Sequence, residues 1–556
     1  MPALDVSDLN IVISALGAFI VLYGIVSVKI RQSWYLGIAL PAVVIGIALG
    51  PVAARFIESE RWGSAQRGQT PSITLGVTRV MIGLQLVMAG YQLPARYCLS
   101  RLREMTLCLL PVMTIMWLCT TLCVLATVPK LTILSAMVIA SCVTCTDQVL
   151  SQAIAKGPFA DKFVARPLRE IISAEAGAND GFGFPFLMLA VYLMRYGSNR
   201  QTTQGNEARG MYVAAKDEPV ETGVGVALRE WFLETWLYMM LLSTLYGIVV
   251  GYSSQKIIGF CLRRKWIDNE SFLLLPSALG LFLVGTTGAI GGDDSLACFA
   301  AGCALNWDGK YLLETQRRYD EVNSSVQMLL NFGGFLYIGT ILPWSAFQDP
   351  GGTGITYGRL FGLGFLVLVL RRIPAILLSY KLMPRVCKNY KEALFMGYFG
   401  PIGAGAVFYV EYTRELFPEI GEGDAEETHL VQAIVPVVYW LVFFSIVVHG
   451  LSIPALDIIY TYLGVQPIHD DAVRIRRCSV LSATPVNGTP RGRDSFLVFN
   501  RFSRPIIEEE ELPVIESAST VASSSSDGFE STDSDGESVR KSMVSHVSLG
   551  RVISRD

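Results

Sequence analysis

Apolar stretches of about 20 residues recur along this chain from Leu9 to Leu451, each long enough to cross a bilayer core of about 30 Å as a helix. Inside lipid a helix satisfies its own backbone hydrogen bonds, so the repetition alone predicts an all-α polytopic membrane protein. Composition agrees. Only 17% of the 556 residues are charged and 51% are hydrophobic, whereas a soluble chain carries about a quarter charged residues. The first stretch, Asn10–Ser27, lacks a basic leader and follows Asp5 and Asp8, so it reads as a retained helix and not a signal peptide. Eleven cysteines lie mostly inside apolar segments (Cys108, Cys119, Cys142, Cys145, Cys298, Cys303) without metal-ligand spacing. They read as buried free thiols.

The pattern gives about 13 spans, near 9–28, 35–54, 72–93, 105–128, 131–154, 171–194, 231–253, 272–290, 292–306, 323–345, 359–380, 391–413 and 430–453. Basic residues set the orientation. With the N-terminus outside, about 20 Lys and Arg fall on cytoplasmic connections and about 10 on external ones, half of those in the long loop 195–230. An odd number of spans then leaves the C-terminus in the cytoplasm. The expected organisation is a membrane domain over 1–465 followed by a tail over 466–556. The tail is rich in Ser and acidic residues and has too little apolar surface to offset chain ordering, so it reads as disordered, phosphorylatable and dispensable for transport. Arg474, Arg476 and Arg477 stand close enough to the membrane to meet anionic lipid. The sequons at Asn269, Asn323 and Asn487 all fall on the cytoplasmic side, so no N-glycan is expected.

Two spans are interrupted in matching places. The fifth carries the polar run Ser141 to Asp147, and the twelfth carries Gly397 to Gly405 with Pro401 inside it. Gly and Pro break helical hydrogen bonding. The interruptions are seven spans apart, as inverted repeats over about 9–194 and 272–453, joined by a linker helix at 231–253, require. Paired broken helices are the best sequence pointer to a transporter's binding site.

A charge inside an apolar helix costs roughly 2.5–3.5 kcal/mol on insertion scales, so each one needs a reason. Asp147 sits at the fifth span's break beside Thr144 and Thr146, and Glu175, Asn179 and Asp180 sit in the sixth. Glu175 and Asn179 are four apart and share a helix face. Asp180 is flanked by Gly177, Gly181, Gly183 and Pro185, which permit close backbone approach. A carboxylate there holds a small hard cation or a proton, but not both at once. Burial favours the neutral form of a carboxylate, which lets proton and cation compete near neutral pH. Arg371 and Arg372 interrupt the eleventh span, and Glu175 is the obvious partner for one of them. Gln85 in the third span either faces an ion path or bonds to a neighbouring helix, and His449 near the end of the last span is structural or pH-modulating.

The segments Thr146-Asp147, EAGANDGFGFPF at 175–186, GGDDSLACFAAGCALNWD at 291–308, GYFGPIGAGAVF at 397–408 and VVHGLSIP at 447–454 resemble the fungal plasma-membrane sodium/proton antiporters of the monovalent cation:proton antiporter-1 family. The resemblance covers about residues 1–465. It implies a 13-helix inverted-repeat fold with two broken crossing helices, a homodimer and elevator-like alternating access. Residue by residue, Asp180 matches the family's ion- and proton-binding aspartate and Asn179 the asparagine before it. Thr146 and Asp147 match the ligands of the unwound helix, placing Na+ at Asp180 and Asp147. Glu175 with Arg372 (or Arg371) matches a structural ion pair. Asp293 and Asp294 match an acidic pair of the fungal branch, although capping of the ninth helix explains them equally well. The family usually has Pro after Thr-Asp; here it is Gln148, so the break must rest on Thr and Asp side chains.

The expected function is therefore exchange of cytosolic Na+, with K+ and Li+ as further candidate cations, for external H+, without a cofactor or nucleic acid. A single Asn-Asp in place of two adjacent Asp favours one-for-one exchange. A channel needs a continuous polar lining or a carbonyl filter, whereas the polar residues here cluster at one midplane site. A membrane-embedded enzyme would use the same carboxylates, but no partner motif for catalysis accompanies them.

Overall fold

The computed structural model describes residues 8–32, 34–57, 69–196, 223–318, 322–418, 420 and 422–468, then 473–476, 488–490 and 495–498. Seven of the described helices are long and apolar enough to cross a membrane unaided: Asn10–Ser27, Thr70–Tyr91, Leu102–Thr127, Val224–Arg264, Asn269–Ala289, Tyr357–Leu382 and Ala425–Tyr462. The other expected spans are shorter, split or less apolar helices. The second is Ala39–Leu49, the ninth Asp294–Leu305 and the tenth Val322–Thr340. The fifth is split into Ile133–Cys142 and Gln148–Lys156, and the twelfth into Tyr390–Tyr398 and Ala404–Leu416.

The sixth span differs from the continuous helix that the sequence suggested. It divides into Arg166–Asn179 and Phe184–Tyr196, with Asp180 to Gly183 forming the turn between them. Gly181 lets that turn pass the Leu296 backbone, and Gly183 lets it pack on the Tyr409 ring.

Apolar side chains cover the outer surface as well as the core. Val21, Leu22, Ile25, Leu122, Val249, Ile257 and Leu378 stand exposed on the outer surface, while Asp147, Asn179, Asp180, Glu175, Arg371 and Arg372 are buried. An exposed apolar belt around a hydrophobic core that encloses a small cluster of charges is what a lipid-facing surface requires. The chain is a multi-pass membrane protein.

Packing sorts the spans into two bundles, each drawing three from each half of the chain. Spans 2, 3, 8, 9 and 10 pack together with the seventh, the first touching the tenth. Spans 4, 5, 6, 11, 12 and 13 form the second bundle. The bundles meet chiefly where Thr70–Tyr91 lies along Ala404–Leu416 and where Phe184–Tyr196 packs on the start of the seventh span, Val224–Glu230 and Trp231–Leu242.

Three short strands follow the last span: Val473–Arg476, Gly488–Pro490 and Ser495–Val498. They pair antiparallel, the third in the middle, with Val473 opposite Val498 and Gly488 also opposite Val498. The composition of the segment after 466 gave no sign of this sheet. Arg477, the serine-rich stretch, its phosphorylation sites and Asn487 lie outside the described residues. Of the other two sequons, Asn323 is buried with its amide donating to the Leu273 carbonyl at 2.9 Å, and Asn269 accepts from Arg318 at 3.1 Å.

Candidate functional site

Where the fifth and twelfth spans break, four half-helix ends meet. The Asp147 backbone N–H donates to the Pro401 carbonyl at 2.8 Å, joining one break to the other. The fifth span opens without proline. Its hydroxyls turn back on the helix, Ser141 to the Val138 carbonyl and Thr144 to the Ala140 carbonyl, at 2.6 and 2.8 Å. Asp147 then caps the restart. Its Oδ1 accepts from the Leu150 N–H at 2.8 Å, and its Oδ2 accepts from the Ala404 N–H at 2.8 Å, the first residue of the other restarting half-helix. A side chain at Gly403 would collide with that carboxylate, so glycine is needed there for the approach.

Arg371 treats the opposite ends in the same way. One Nη donates to the Gly400 carbonyl at 2.8 Å, and the other to the Cys145 and Thr144 carbonyls at 2.9 and 3.2 Å. Two helix N-termini therefore share one carboxylate, and two C-terminal ends share one guanidinium. Each match of charge to helix dipole contributes about 0.3–1 kcal/mol at a surface and up to ~2 kcal/mol when partly buried. Unpaired, these ends would be orphan polar groups in hydrocarbon.

Arg372, one residue on, points to a different partner. Its two Nη atoms fork onto the two Glu175 carboxylate oxygens at 2.7 Å each, and its Nε donates to the Met396 carbonyl at 3.0 Å. The geometry is the bidentate arrangement that makes Arg–carboxylate pairs strong and directional. The contact ties the sixth span to the eleventh and twelfth. Glu175 pairs with Arg372, and Arg371 is spent on carbonyls.

Asn179 and Thr146 hold each other. The Asn179 amide donates to the Thr146 hydroxyl at 2.7 Å, while the Thr146 N–H donates to the Asn179 amide oxygen at 3.2 Å. The next residue, Asp180, is buried, and its Oδ1 has no hydrogen-bond partner. Its own carbonyl accepts from the Tyr409 hydroxyl at 2.6 Å, which pins the backbone and leaves the carboxylate to the site. A Cβ at Gly405 would lie 2.8 Å from Asp180 Oδ1. The twelfth span's second half thus packs its bare backbone against the carboxylate.

The acidic pair divides. Asp293 caps the ninth helix, its Oδ1 accepting from the Leu296 N–H at 3.1 Å, and its N–H donates to the Ser243 hydroxyl at 2.8 Å. Its Oδ2 is buried without a partner, and a Cβ on Gly181 would lie 2.6 Å from it. Asp294 instead forms an ion pair with Arg79 of the third span.

Several participants went unnoticed in the sequence. Arg79 and Glu411 are charges inside apolar spans, and the rule that singled out Glu175 and Arg372 applies equally to them. Glu411 is buried, accepting from Tyr439 at 2.7 Å and from Arg414 at 2.9 Å. Tyr409 carried no signal, because an aromatic in an apolar helix is ordinary. His449 is hydrogen-bonded on both ring nitrogens: Nε2 lies 3.1 Å from the Tyr398 carbonyl and Nδ1 3.1 Å from the Ser445 hydroxyl, which accepts from the Ile402 N–H at 2.7 Å. With Nε2 protonated, the imidazole staples the last span to both sides of the twelfth span's break. Gln85 donates to Asn331 at 2.7 Å.

Two bundles drawn from both halves of the chain, with paired broken helices meeting at buried carboxylates, define a secondary transporter. Residues 15–457 match the family described as sodium/hydrogen exchanger, transmembrane, and the chain belongs to that family. It is 33% identical over 467 residues to a Na(+)/H(+) antiporter of Saccharomyces cerevisiae, covering 82% of this chain and 44% of the relative. It is 30% identical to a Na(+)/H(+) antiporter of Schizosaccharomyces pombe, covering 82% of this chain and 92% of that one. A probable Na(+)/H(+) antiporter of the same yeast is 35% identical over 81% of this chain and 56% of its own length. The chain spans about half the length of most of the curated relatives it matches. Its fold is similar to that of the sodium proton antiporter from Methanocaldococcus jannaschii solved at pH 8, with a TM-score of 0.54 at 16% identity over 80% of this chain and 100% of that one.

Proposed function

We propose that this chain is a secondary active antiporter exchanging cytosolic Na+ for external H+, with K+ and Li+ as further candidate cations. The observation that carries the reading is the Asp180 carboxylate: an oxygen without a partner, buried at the meeting point of two broken helices. A buried, unpaired carboxylate is costly in either charge state unless something occupies it. A proton neutralises it, and a cation satisfies it. The two occupants exclude each other, which is all that obligate exchange requires.

The surrounding groups have distinct tasks in this reading. Asp147 contributes negative charge to the Na+ site, but two backbone donors already engage its oxygens, so Asp180 carries the exchangeable load. Thr146 and Asn179 keep the fifth span's break in register with Asp180. The bundle of spans 4–6 and 11–13 carries Asp180, Asp147 and the Glu175–Arg372 pair, and its movement against the other bundle gives alternating access. The distribution of basic residues supports an external N-terminus and a cytoplasmic C-terminus. Residence in the plasma membrane and assembly as a homodimer are what the sequence resemblance to the fungal plasma-membrane antiporters implies. The two halves of the membrane domain act as inverted repeats, and the segment after 466 stands outside the transport unit.

Exchange is measured with purified protein in liposomes, driven by an imposed proton gradient without ATP. Counter-movement of Na+ and H+ is the expected result; uncoupled Na+ current would indicate a channel, and neither flux would remove the proposal. The acidic pair gives a further prediction. Asp293→Asn removes a charge beside Gly181 and is expected to shift the pH profile of exchange. Asp294→Asn removes the partner of the partly exposed Arg79, so a smaller loss of stability than from breaking a fully buried pair is expected, with the pH profile unmoved. Identical effects of the two on the profile would refute this division.

A further inference from the structure

Among the described residues, Cys108, Cys123, Cys142, Cys145, Cys298 and Cys387 are buried free thiols, whereas Cys98 and Cys303 are only partly buried. These two face each other from 205 positions apart in the chain, their Sγ atoms 3.7 Å apart in hydrogen-bond contact. Cys303 belongs to the ninth span. Its backbone passes the third span so closely that a Cβ on Gly90 would lie 2.7 Å from the Cys303 nitrogen. Cys98 stands in the connection between the third and fourth spans, on the side that the basic residues mark as cytoplasmic.

That connection lies against the end of the ninth span. The Asn306 amide donates to the Leu93 carbonyl at 2.9 Å, and the Arg96 guanidinium stands 5.6 Å from the centre of the Trp307 ring. Shortly beyond Cys98 the fourth span begins at Leu102, in the other bundle. The chain therefore crosses between bundles within a few residues of the thiol pair. A disulfide holds its sulfurs about 2.05 Å apart, so roughly 1.7 Å separates this contact from a bond. Arg96 and Arg101 flank Cys98 in sequence, and basic neighbours favour the reactive thiolate. The hydrogen bond from Cys303 also holds the Cys98 thiol below its ordinary pKa. Partial exposure of both residues admits a small oxidant.

We propose that Cys98 and Cys303 form a reversible disulfide that slows exchange by tying the connection between the third and fourth spans to the ninth. The step balances with a peroxide as oxidant. The Cys98 thiolate attacks one peroxide oxygen, the O–O bond breaks, and the leaving hydroxide takes up the proton that the thiol had lost. Cys303 then attacks the sulfur of the resulting sulfenic acid. The S–O bond breaks, the S–S bond forms, and the thiol proton leaves with the hydroxide as a second water. Two electrons have passed from the thiols to the peroxide. A thiol reductant reverses the change, as suits a cytosol in which such bonds are transient. In the reduced chain the connection is held by contacts that can release as the other bundle moves. Once oxidised, only the segment from Cys98 to Leu102 stays free, and so short a segment reaches at most about 14 Å. The bond stands independently, but the brake on transport rests on the exchange reading above.

The test uses the purified full chain in liposomes, treated with hydrogen peroxide that is then removed. Peptide mapping without reduction is expected to find Cys98 joined to Cys303, and dithiothreitol to separate them. A disulfide favours the arrangement it closes by a factor of roughly ten or more, so exchange should fall about tenfold and recover on reduction. Cys98→Ser and Cys303→Ala are expected to keep the untreated wild-type rate and to lose the response to peroxide. Cys98→Ser lies on the partly exposed connection, so it carries the test where the Cys303 variant fails to reach the membrane. Absence of the bond overturns the proposal, as does a bond from Cys98 to any other cysteine. A bond that forms without slowing exchange overturns the brake. Inhibition that persists in Cys98→Ser belongs to another residue and overturns it equally. Absence of exchange in the untreated wild-type chain strikes at the exchange reading, whereas a mapped bond between Cys98 and Cys303 would leave the thiol pair standing.

Discussion

Asp180→Asn is expected to abolish cation-dependent proton movement while the protein folds and reaches the membrane normally. Asparagine has nearly the same shape as aspartate, so the Tyr409 bond to the residue-180 carbonyl and the close approach of Gly405 survive. What disappears is the group that can hold H+ and a cation in turn. The amide neither releases a proton nor balances the cation's charge. Because Asp180 Oδ1 has no hydrogen-bond partner, the neutral variant should be at least as stable as wild type. Flux in liposomes below about a tenth of wild type is expected, since proton transfer through a positioned group contributes factors of ~100 or more. Substantial residual exchange with intact coupling would move the ion site elsewhere, Asp293 being the next carboxylate to examine.

Breaking the Glu175–Arg372 pair should affect stability more than any other single change in the site. Both groups are buried and matched oxygen for nitrogen. Removing one leaves a full charge uncompensated in a medium of low polarity, at a cost of roughly 3–5 kcal/mol. Glu175→Gln and Arg372→Met should each lower Tm or yield markedly. The double variant should recover much of the loss, because an absent pair is cheaper than an orphaned charge. Arg371→Met gives the control: it strands carbonyls and not a carboxylate, so combining it with Glu175→Gln should show no such rescue. A strictly additive double variant of Glu175 and Arg372 would contradict the pairing, since contacting residues couple by about 0.5–3 kcal/mol.

The relation between these two arginines shows where sequence reasoning stopped. Two adjacent arginines in an apolar stretch announce two costly charges that need partners. Arg371 and Arg372 form the joint between helices Tyr357–Leu370 and Ile373–Ser379, and their side chains go to different partners. Nothing local, however, says which of them meets Glu175, which lies 197 positions away in the chain. The choice was made by the crossing of the broken helices, which placed carbonyls of residues 144, 145 and 400 around Arg371 and a carboxylate before Arg372.

Hydrophobic run length determined the number and placement of the spans, because bilayer thickness is a fixed ruler. The polar run at 141–147 and the glycines at 397–405 determined the breaks, because backbone hydrogen bonding is decided within a few residues. The cost of intramembrane charge singled out Asp147, Glu175 and Asp180 for the same local reason. The break after Asn179 was less legible, since Gly181 and Gly183 permit a turn without compelling one. Only the tertiary structure decided the long-range pairings: Asp147 with both helix N-termini, Asp294 with Arg79, and Gln148 with nothing at all. Such pairings depend on which spans lie beside one another. That is a property of two bundles packed together, which no single segment of the chain encodes.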